Sequence, residues 1–234
     1  MQFSPKLRSA TFLRRYKRFL VDVRLDNGEE ITVHCPNTGR MTNCLVEGSP
    51  CWLSDSQNPK RKYRYSLEWV TTQAGYWAGV NTHRANALVI EAIQENKISA
   101  LSEYDVLATE MPYGEEKSRI DILLSGGGKQ CYVEVKSVTL EGEAGVGYFP
   151  DAVSTRGQKH LRELIAMKAQ GHRAVLFFCV QHTGIRDVRG ADHIDPLYAS
   201  LLTEAVGQGV EVLAYGVNFS PEKAQVVTQL VVGC

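Results

Sequence analysis

In the first third of the chain, hydrophobic positions recur every second residue. Over 17–25, Phe19, Val21, Val23 and Leu25 alternate with Leu20, Asp22 and Arg24, the period of a half-buried strand. Asp26-Asn27-Gly28 is a turn signal, and 30–35 returns as the paired strand. Pro36-Asn37-Thr38-Gly39 breaks the pattern, and further strands are predicted at 51–54, 65–72 and 76–81. Five short strands with turns between them predict a small barrel of the OB type, although an SH3-like barrel fits nearly as well.

After residue 82 the period lengthens. Leu88, Val89, Ala92 and Ile93 fall on one stripe over 84–96 and predict a helix. Strands follow at 106–113, 118–124 and 130–138, the last two joined by a hairpin turn at Ser125-Gly126-Gly127-Gly128. A helix over 155–168 presents Leu161, Leu164, Ile165 and Lys168, with Ser154 or Thr155 as its cap. The apolar run 173–180 reads as a central strand covered on both faces. A helix over 197–207 and a strand over 210–217 complete the pattern. Glu141 and Glu143 lie in a Gly-rich stretch that predicts a mobile acidic loop. The expected organisation is two domains: an all-β OB-like barrel in 1–82 and an α/β domain in 83–234.

Composition narrows the class. The chain has 234 residues, 44% hydrophobic and 22% charged, values that exclude wholesale disorder. Its longest strictly apolar run, 174–180, is far too short for a membrane span. The N-terminus scatters Lys6, Arg8, Arg14 and Arg15 among few apolar residues, unlike a secretory signal. A soluble, cytoplasmic protein with no membrane partner is expected. The cysteines at 35, 44, 51, 131, 179 and 234 include no C-x-x-C pair. They read as small buried hydrophobes, with a metal or redox role for Cys35, Cys44 and Cys51 as the weaker alternative.

The net charge of zero hides an asymmetry. Residues 1–82 hold 12 Lys+Arg against 7 Asp+Glu, and 83–234 hold 14 against 19. The positive charge is clustered at Arg14-Arg15-Tyr16-Lys17-Arg18 and at Lys60-Arg61-Lys62-Tyr63-Arg64-Tyr65. Cations interleaved with aromatics suit nucleic acid, because cations meet phosphates while rings stack on bases. A solvated turn explains either cluster alone; two together favour a polyanion. Asn37-Thr38-Gly39-Arg40 suits either a phosphate nest beside Arg40 or an ordinary Asx turn.

The chemistry-bearing set is Asp121, Glu134 and Lys136. Period 2 puts Glu134 and Lys136 on one strand face, and a hairpin brings Asp121 alongside. Two carboxylates and a lysine at one point of a sheet suit an oxygen-ligated divalent cation. Asp…Glu-x-Lys on adjacent strands, flanked by helices in this order, resembles the PD-(D/E)xK nuclease core. That resemblance implies that Asp121 and Glu134 ligate Mg²⁺ or Mn²⁺ while Lys136 assists phosphodiester hydrolysis. It also offers Glu91, on the first helix, as a further ligand. Ile120 stands where the family commonly has Pro.

Longer motifs recur together: His34-Cys35-Pro36-Asn37-Thr38-Gly39-Arg40-Met41, Tyr113-Gly114 through Asp121, Glu134 through Leu140, Tyr148-Phe149-Pro150-Asp151-Ala152-Val153, and Arg156-Gly157-Gln158-Lys159-His160-Leu161. This set resembles the bacterial sugar fermentation stimulation protein A family over nearly the whole chain. The resemblance implies an OB-like domain joined to a PD-(D/E)xK-like domain, DNA binding, and a link to sugar, notably maltose, metabolism. Arg156, Lys159 and His160 are placed to hold the scissile phosphate, or form a solvated helix turn. Phe149 reads as a core plug rather than part of a loop over the site.

Three functions remain: a largely sequence-independent DNA-binding protein, a Mg²⁺- or Mn²⁺-dependent nuclease on DNA or RNA, and an OB-type interaction module on a relic nuclease fold. DNA binding is the leading expectation. No helix-turn-helix signal supports operator reading, and the oligomeric state, a homodimer included, stays open.

Overall fold

The computed structural model describes residues 1–233; Cys234 lies outside the described residues. Strands β1 (Arg8–Tyr16), β2 (Leu20–Leu25), β3 (Glu30–His34), β4 (Pro50–Asp55) and β5 (Tyr65–Thr71) form a sheet in the order β3-β2-β1-β4-β5. It closes on itself where His34 of β3 pairs with Ser66 of β5 in parallel. Closure by a parallel contact between the third and fifth strands makes this an OB barrel. Its core holds Phe12, Val21, Val23, Val33, Leu53 and Leu67, and Cys35, Cys44 and Cys51 pack there as apolar groups. Burial pushes the Cys44 and Cys51 thiols up to about 12.

The first strand is the main departure from the sequence reading. Residues 17–19 form the β1–β2 turn, with Lys17 and Arg18 at φ 49° and 63°, so the strand predicted over 17–25 begins at Leu20. Arg8–Tyr16 is a strand that the pattern concealed. Ala10 and Phe12 alternate inward, but a register shift between Phe12 and Arg14 breaks the period among flanking arginines.

Past the short β6 (Trp77–Gly79), helix α1 (Arg84–Gln94) opens the α/β half. β7 (Val106–Tyr113), β8 (Ser118–Gly126), β9 (Lys129–Val138), β12 (Arg173–Val180), β14 (Glu211–Ser220) and β15 (Lys223–Gln229) form a mixed sheet in the order β15-β14-β12-β9-β8-β7. β9, β12 and β14 are parallel, linked through α2 (Thr155–Ala169) and α3 (Pro196–Gly207). α1 covers one face with Leu88, Val89 and Ala92 against Val133, Val175 and Phe177. On the other face, Leu161 and Leu164 of α2 meet Leu176 and Phe178. The β8–β9 hairpin turns on Gly127 and Gly128, both at positive φ, which a Cβ would resist. Ser154 Oγ caps α2 by accepting from Gly157 N, and Asp195 caps α3.

A second small sheet was not foreseen: β10 (Leu140–Glu141), β11 (Val146–Phe149), β13 (Asp187–Gly190) and β16 (Val231–Gly233). Glu141 therefore lies in a strand and Glu143 opens a 3₁₀ turn, in place of the loop expected. Phe149 packs on Phe178 and Tyr198, as a plug should.

The two halves share an extensive joint. Trp69 leaves the barrel core and packs with Trp52, Trp77 and Phe219. Gly79 N donates to Gln181 O, and Thr183 N to Trp77 O. The first residues also cross over: Ala224 N donates to Met1 O, and Phe3 N and Leu7 N donate to the carbonyls of Glu222 and Pro221. The segment 1–7 therefore lies beside β15 rather than in the barrel.

Candidate active site and nucleic-acid interface

The site is built where β8 leaves β9. The two strands pair from Gly126/Lys129 as far as Ile122/Val133, while β8 stays paired to β7 down to Ser118. Beyond the fork, β9 has lost β8 on one edge while keeping β12 on the other, and Val135 N would be an unpaired ladder donor. Asp121 fills that place, its Oδ2 accepting from Val135 N at 2.8 Å. Its Oδ1 accepts from Asn86 Nδ2 of α1, also at 2.8 Å. Buried backbone donors need such partners, so the fork itself fixes the carboxylate.

Glu134 and Lys136 both point towards α2, as period 2 requires. Glu134 is 1% exposed. Its Oε1 takes Lys136 Nζ at 2.6 Å and also contacts His160 Nδ1. Its Oε2 is buried and has no hydrogen-bond partner. Burial raises the Glu134 pKa, but the bond to His160 and the charge of Lys136 outweigh it, and the net direction is down. Asp121 is shifted the other way, up, by burial and then by the charge of Glu134. Tyr113 stands close by with its hydroxyl buried and unbonded. Burial, Glu134, Glu163 and Asp121 all push its pKa up.

Among the described residues, no group of three His, Cys, Asp or Glu side chains is close enough to hold a metal. The donors present are the two carboxylates. Their chemistry fits a hard divalent cation, because Glu134 Oε2 lacks a partner and Asp121 is repelled by its neighbour. Glu91 does not join them. It points instead to the Met1 amino group, and Asn86 is the α1 residue that reaches the fork.

The α2 candidates divide. His160 adjoins Glu134, and Arg156 Nε approaches His160 Nε2 at 3.4 Å. Lys159 turns away and donates to Glu116 O.

The two basic clusters run from the end of β1 into the β1–β2 loop and through the β4–β5 loop, the loops by which OB barrels hold oligonucleotides. Lys17, Arg18, Lys60, Arg61 and Lys62 are exposed, as is Phe19 at the first loop's tip. Three other members have structural partners. Arg14 pairs with Asp22 and Arg64 grips Asp55 through two nitrogens. Arg15 donates to the carbonyls of Asn37 and Gly39 at 2.8 and 2.9 Å, and so braces that loop. The loop is an Asx turn, Gly39 N donating to Asn37 Oδ1 at 2.7 Å. A Cβ on Gly39 would lie 2.7 Å from an Asp151 oxygen. Arg40 stands exposed beside it.

Sequence reasoning missed Asn86, Tyr113 and Asp151. The motifs carried Tyr113 without assigning it a place, and Asp151 only as the end of a possible loop over the site. Asn86 had no signal, since only the rotation of α1 against the sheet brings it to Asp121.

Two family models match in tandem: the SfsA N-terminal OB domain over residues 13–80 and the sugar fermentation stimulation protein RE domain over 83–223. The chain belongs to the sugar fermentation stimulation family. A homolog from Saccharophagus degradans is 65% identical over 230 residues, spanning 98% of this chain and 99% of that one. Another from Teredinibacter turnerae is 64% identical over 92% of this chain and 91% of its own. The solved structure of Pyrococcus furiosus SfsA in complex with Ca²⁺ superposes with a TM-score of 0.88 at 29% identity, covering 100% of this chain and 98% of that one. The OB barrel followed by a PD-(D/E)xK-type α/β domain is thus the family's fold. No helix is long and apolar enough to cross a membrane among the described residues.

Proposed function

We propose that this member of the SfsA family binds nucleic acid largely without regard to sequence and hydrolyses phosphodiester bonds at the β8–β9 fork with Mg²⁺ or Mn²⁺. One observation carries the reading: Asp121, Glu134 and Lys136 converge there, and the buried Glu134 Oε2 lacks a partner. Asp121 and Glu134 would hold the cation, leaving its other positions to water and phosphate oxygens. When bound, the ion polarises the phosphoryl group and acidifies a bound water. Lys136 meets charge developing on the phosphate, His160 keeps Glu134 oriented, and Arg156 reaches a neighbouring phosphate. The Ca²⁺ named for the Pyrococcus furiosus relative supports a hard-cation site on this fold. The barrel loops supply affinity, since exposed Lys and Arg in OB binding loops track a phosphate backbone. An effect on sugar metabolism, maltose included, follows from nucleic-acid binding on this reading.

A second reading, DNA binding without hydrolysis, draws on Lys136 and His160 occupying Glu134 Oε1. Calorimetric titration of Mn²⁺ into wild type and Asp121→Ala/Glu134→Ala, with plasmid DNA incubated in parallel, separates the two. Metal binding and nicking that both vanish in the variant support hydrolysis. Salt-sensitive DNA retention without metal binding refutes it and leaves the second reading.

A further inference from the structure

We propose that the ligand of this site is a single polynucleotide strand, laid across three adjoining hollows that begin at the β4–β5 loop and end beyond the Lys136–His160 pair. The proposal rests on the reading of the fork as a phosphodiester site, and it names the form of the substrate.

The first hollow, about 470 Å³, lies between the N-terminal segment and the barrel and is lined by Arg61, His34 and His83. Its two wall carboxylates are silenced. Arg64 holds both oxygens of Asp55, and Arg84 holds both oxygens of Glu68. What remains towards solvent is Arg61 and His83, both exposed, with His34 between them. Burial, then the charges of Arg61 and His83, lower the His34 pKa. Arg61 carries the permanent charge here, and the imidazoles of His34 and His83 stand beside it as further partners for an anion.

The second hollow, about 340 Å³, has the Asn37-Thr38-Gly39 loop on one wall and Asn86 and Lys136 on the other. It adjoins the first. Pro36 and His83 line the first hollow, their neighbours Asn37 and Thr82 line the second, and Thr82 Oγ1 donates to Pro36 O at 3.2 Å over the boundary. The third hollow, about 630 Å³, is lined by Arg119, Arg156 and His160. Lys136 of the second and His160 of the third meet, Nζ to Nδ1, at 3.0 Å. Glu116, in its wall, is paired to Arg162. Asp151 in the second wall and Glu110 in the third are the acidic exceptions to a track otherwise dominated by Arg and Lys, with the site at its middle.

The middle hollow selects the strand number. Its volume, about 340 Å³, suits one compact group such as a single nucleotide unit rather than a base pair. A strand drawn through it has its bases unstacked, and the exposed Phe19 and, in the β4–β5 loop, Tyr63 can restack them.

Fluorescence anisotropy with labelled dT5, dT20 and U20 in Ca²⁺ tests this on the intact chain. For wild type, dT20 binds much more tightly than dT5, and a 20-base-pair duplex competes poorly at equal phosphate concentration. The exposed pair Arg61→Ala/His83→Ala lowers the dT20-to-dT5 affinity ratio about ten-fold, as expected for two lost phosphate contacts. Lys136→Met, in the middle hollow, weakens both lengths alike. An unchanged ratio in the double variant, or equal competition by duplex, overturns the track. Comparison of dT20 with U20 tells a DNA strand from an RNA strand. Should length dependence hold while Mn²⁺ gives no cleavage, the hydrolytic reading falls and the track stands.

Discussion

Lys136 Nζ and His160 Nδ1 lie 3.0 Å apart, and both contact the same oxygen of Glu134. The carboxylate is therefore held by one oxygen and presents the other. A group that orients a metal-binding side chain in this way typically governs metal affinity by about 10–100-fold. His160→Ala should weaken Mn²⁺ binding by that amount in calorimetric titration, and His160→Gln should recover part of it. The melting temperature should move little by comparison. Equal Mn²⁺ affinity in all three proteins would show that His160 does not position Glu134.

Lys136 also has a stability role. Glu134 is almost completely buried, and removal of its ammonium partner leaves a charge short of compensation. Lys136→Ala should cost about 3 kcal/mol in urea denaturation. Adding Glu134→Gln should return most of that loss. A double-mutant cycle that gives purely additive effects would refute direct coupling of the pair.

For Asp121 the sign is opposite. Burial and the charge of Glu134 raise its folded pKa, so ionisation disfavours the fold. The penalty is absent below the unfolded pKa of about 3.9, grows as pH rises to the folded value, and is constant above it. Without divalent cation, Asp121→Asn should therefore melt higher than wild type at pH 7, by about 2–4 °C for each kcal/mol regained. At pH 3.5 the two should melt alike. Saturating Mn²⁺ should reverse the order at pH 7, because only the carboxylate pair holds the ion well. A variant that melts below wild type in metal-free buffer at pH 7 would contradict the account.

The Asp121–Glu134–Lys136 set was readable from sequence because strand period and hairpin register are local properties. Glu134 and Lys136 are two residues apart, and the Gly127-Gly128 turn fixes which residue of β8 lies opposite. Glu91 failed because its distance from the fork depends on the rotation and tilt of α1, which the helix pattern leaves free. The apolar stripe of Leu88, Val89 and Ala92 faces the sheet, yet it does not say which polar flank looks towards the fork; Asn86 does. The same limit hid β1, where a bulge broke the alternation. The charge clusters were visible as composition, but only geometry separates Lys17, Arg18 and Lys60–Lys62, which face solvent, from Arg15, which braces Asn37 and Gly39.

That separation can be measured. Replacing Lys17, Arg18, Lys60 and Lys62 by Gln should flatten the log–log salt dependence of single-strand binding by about 0.7 for each lost contact. Their effect on the melting temperature should be small, since all four are exposed. Arg15→Ala should instead loosen the Asn37–Arg40 loop and lower the melting temperature. If Arg15→Ala changed only the salt slope, its role would be phosphate contact rather than bracing.

His182 makes the joint between barrel and α/β domain sensitive to acid. It bridges to Ala78 across the joint, accepts from Gly184 N through Nδ1, and lies against the Tyr76 ring. Burial, then the charge of Arg186, lowers its pKa to about 4. Among the described residues, Glu141 is the one carboxylate paired with it, Oε2 lying 3.7 Å from Nε2, and burial pushes the Glu141 pKa up. The fold thus prefers the neutral imidazole, while the unfolded chain takes a proton near pH 6.5. Stability is complete above that value and falls as pH drops towards 4, by on the order of 3 kcal/mol. Urea denaturation at pH 7, 6, 5 and 4.5 should show this decline, and His182→Gln should flatten it even if it lowers stability at pH 7. An equally steep decline in the variant would place the acid sensitivity elsewhere, with the ion pair of Glu134 as the next group to examine.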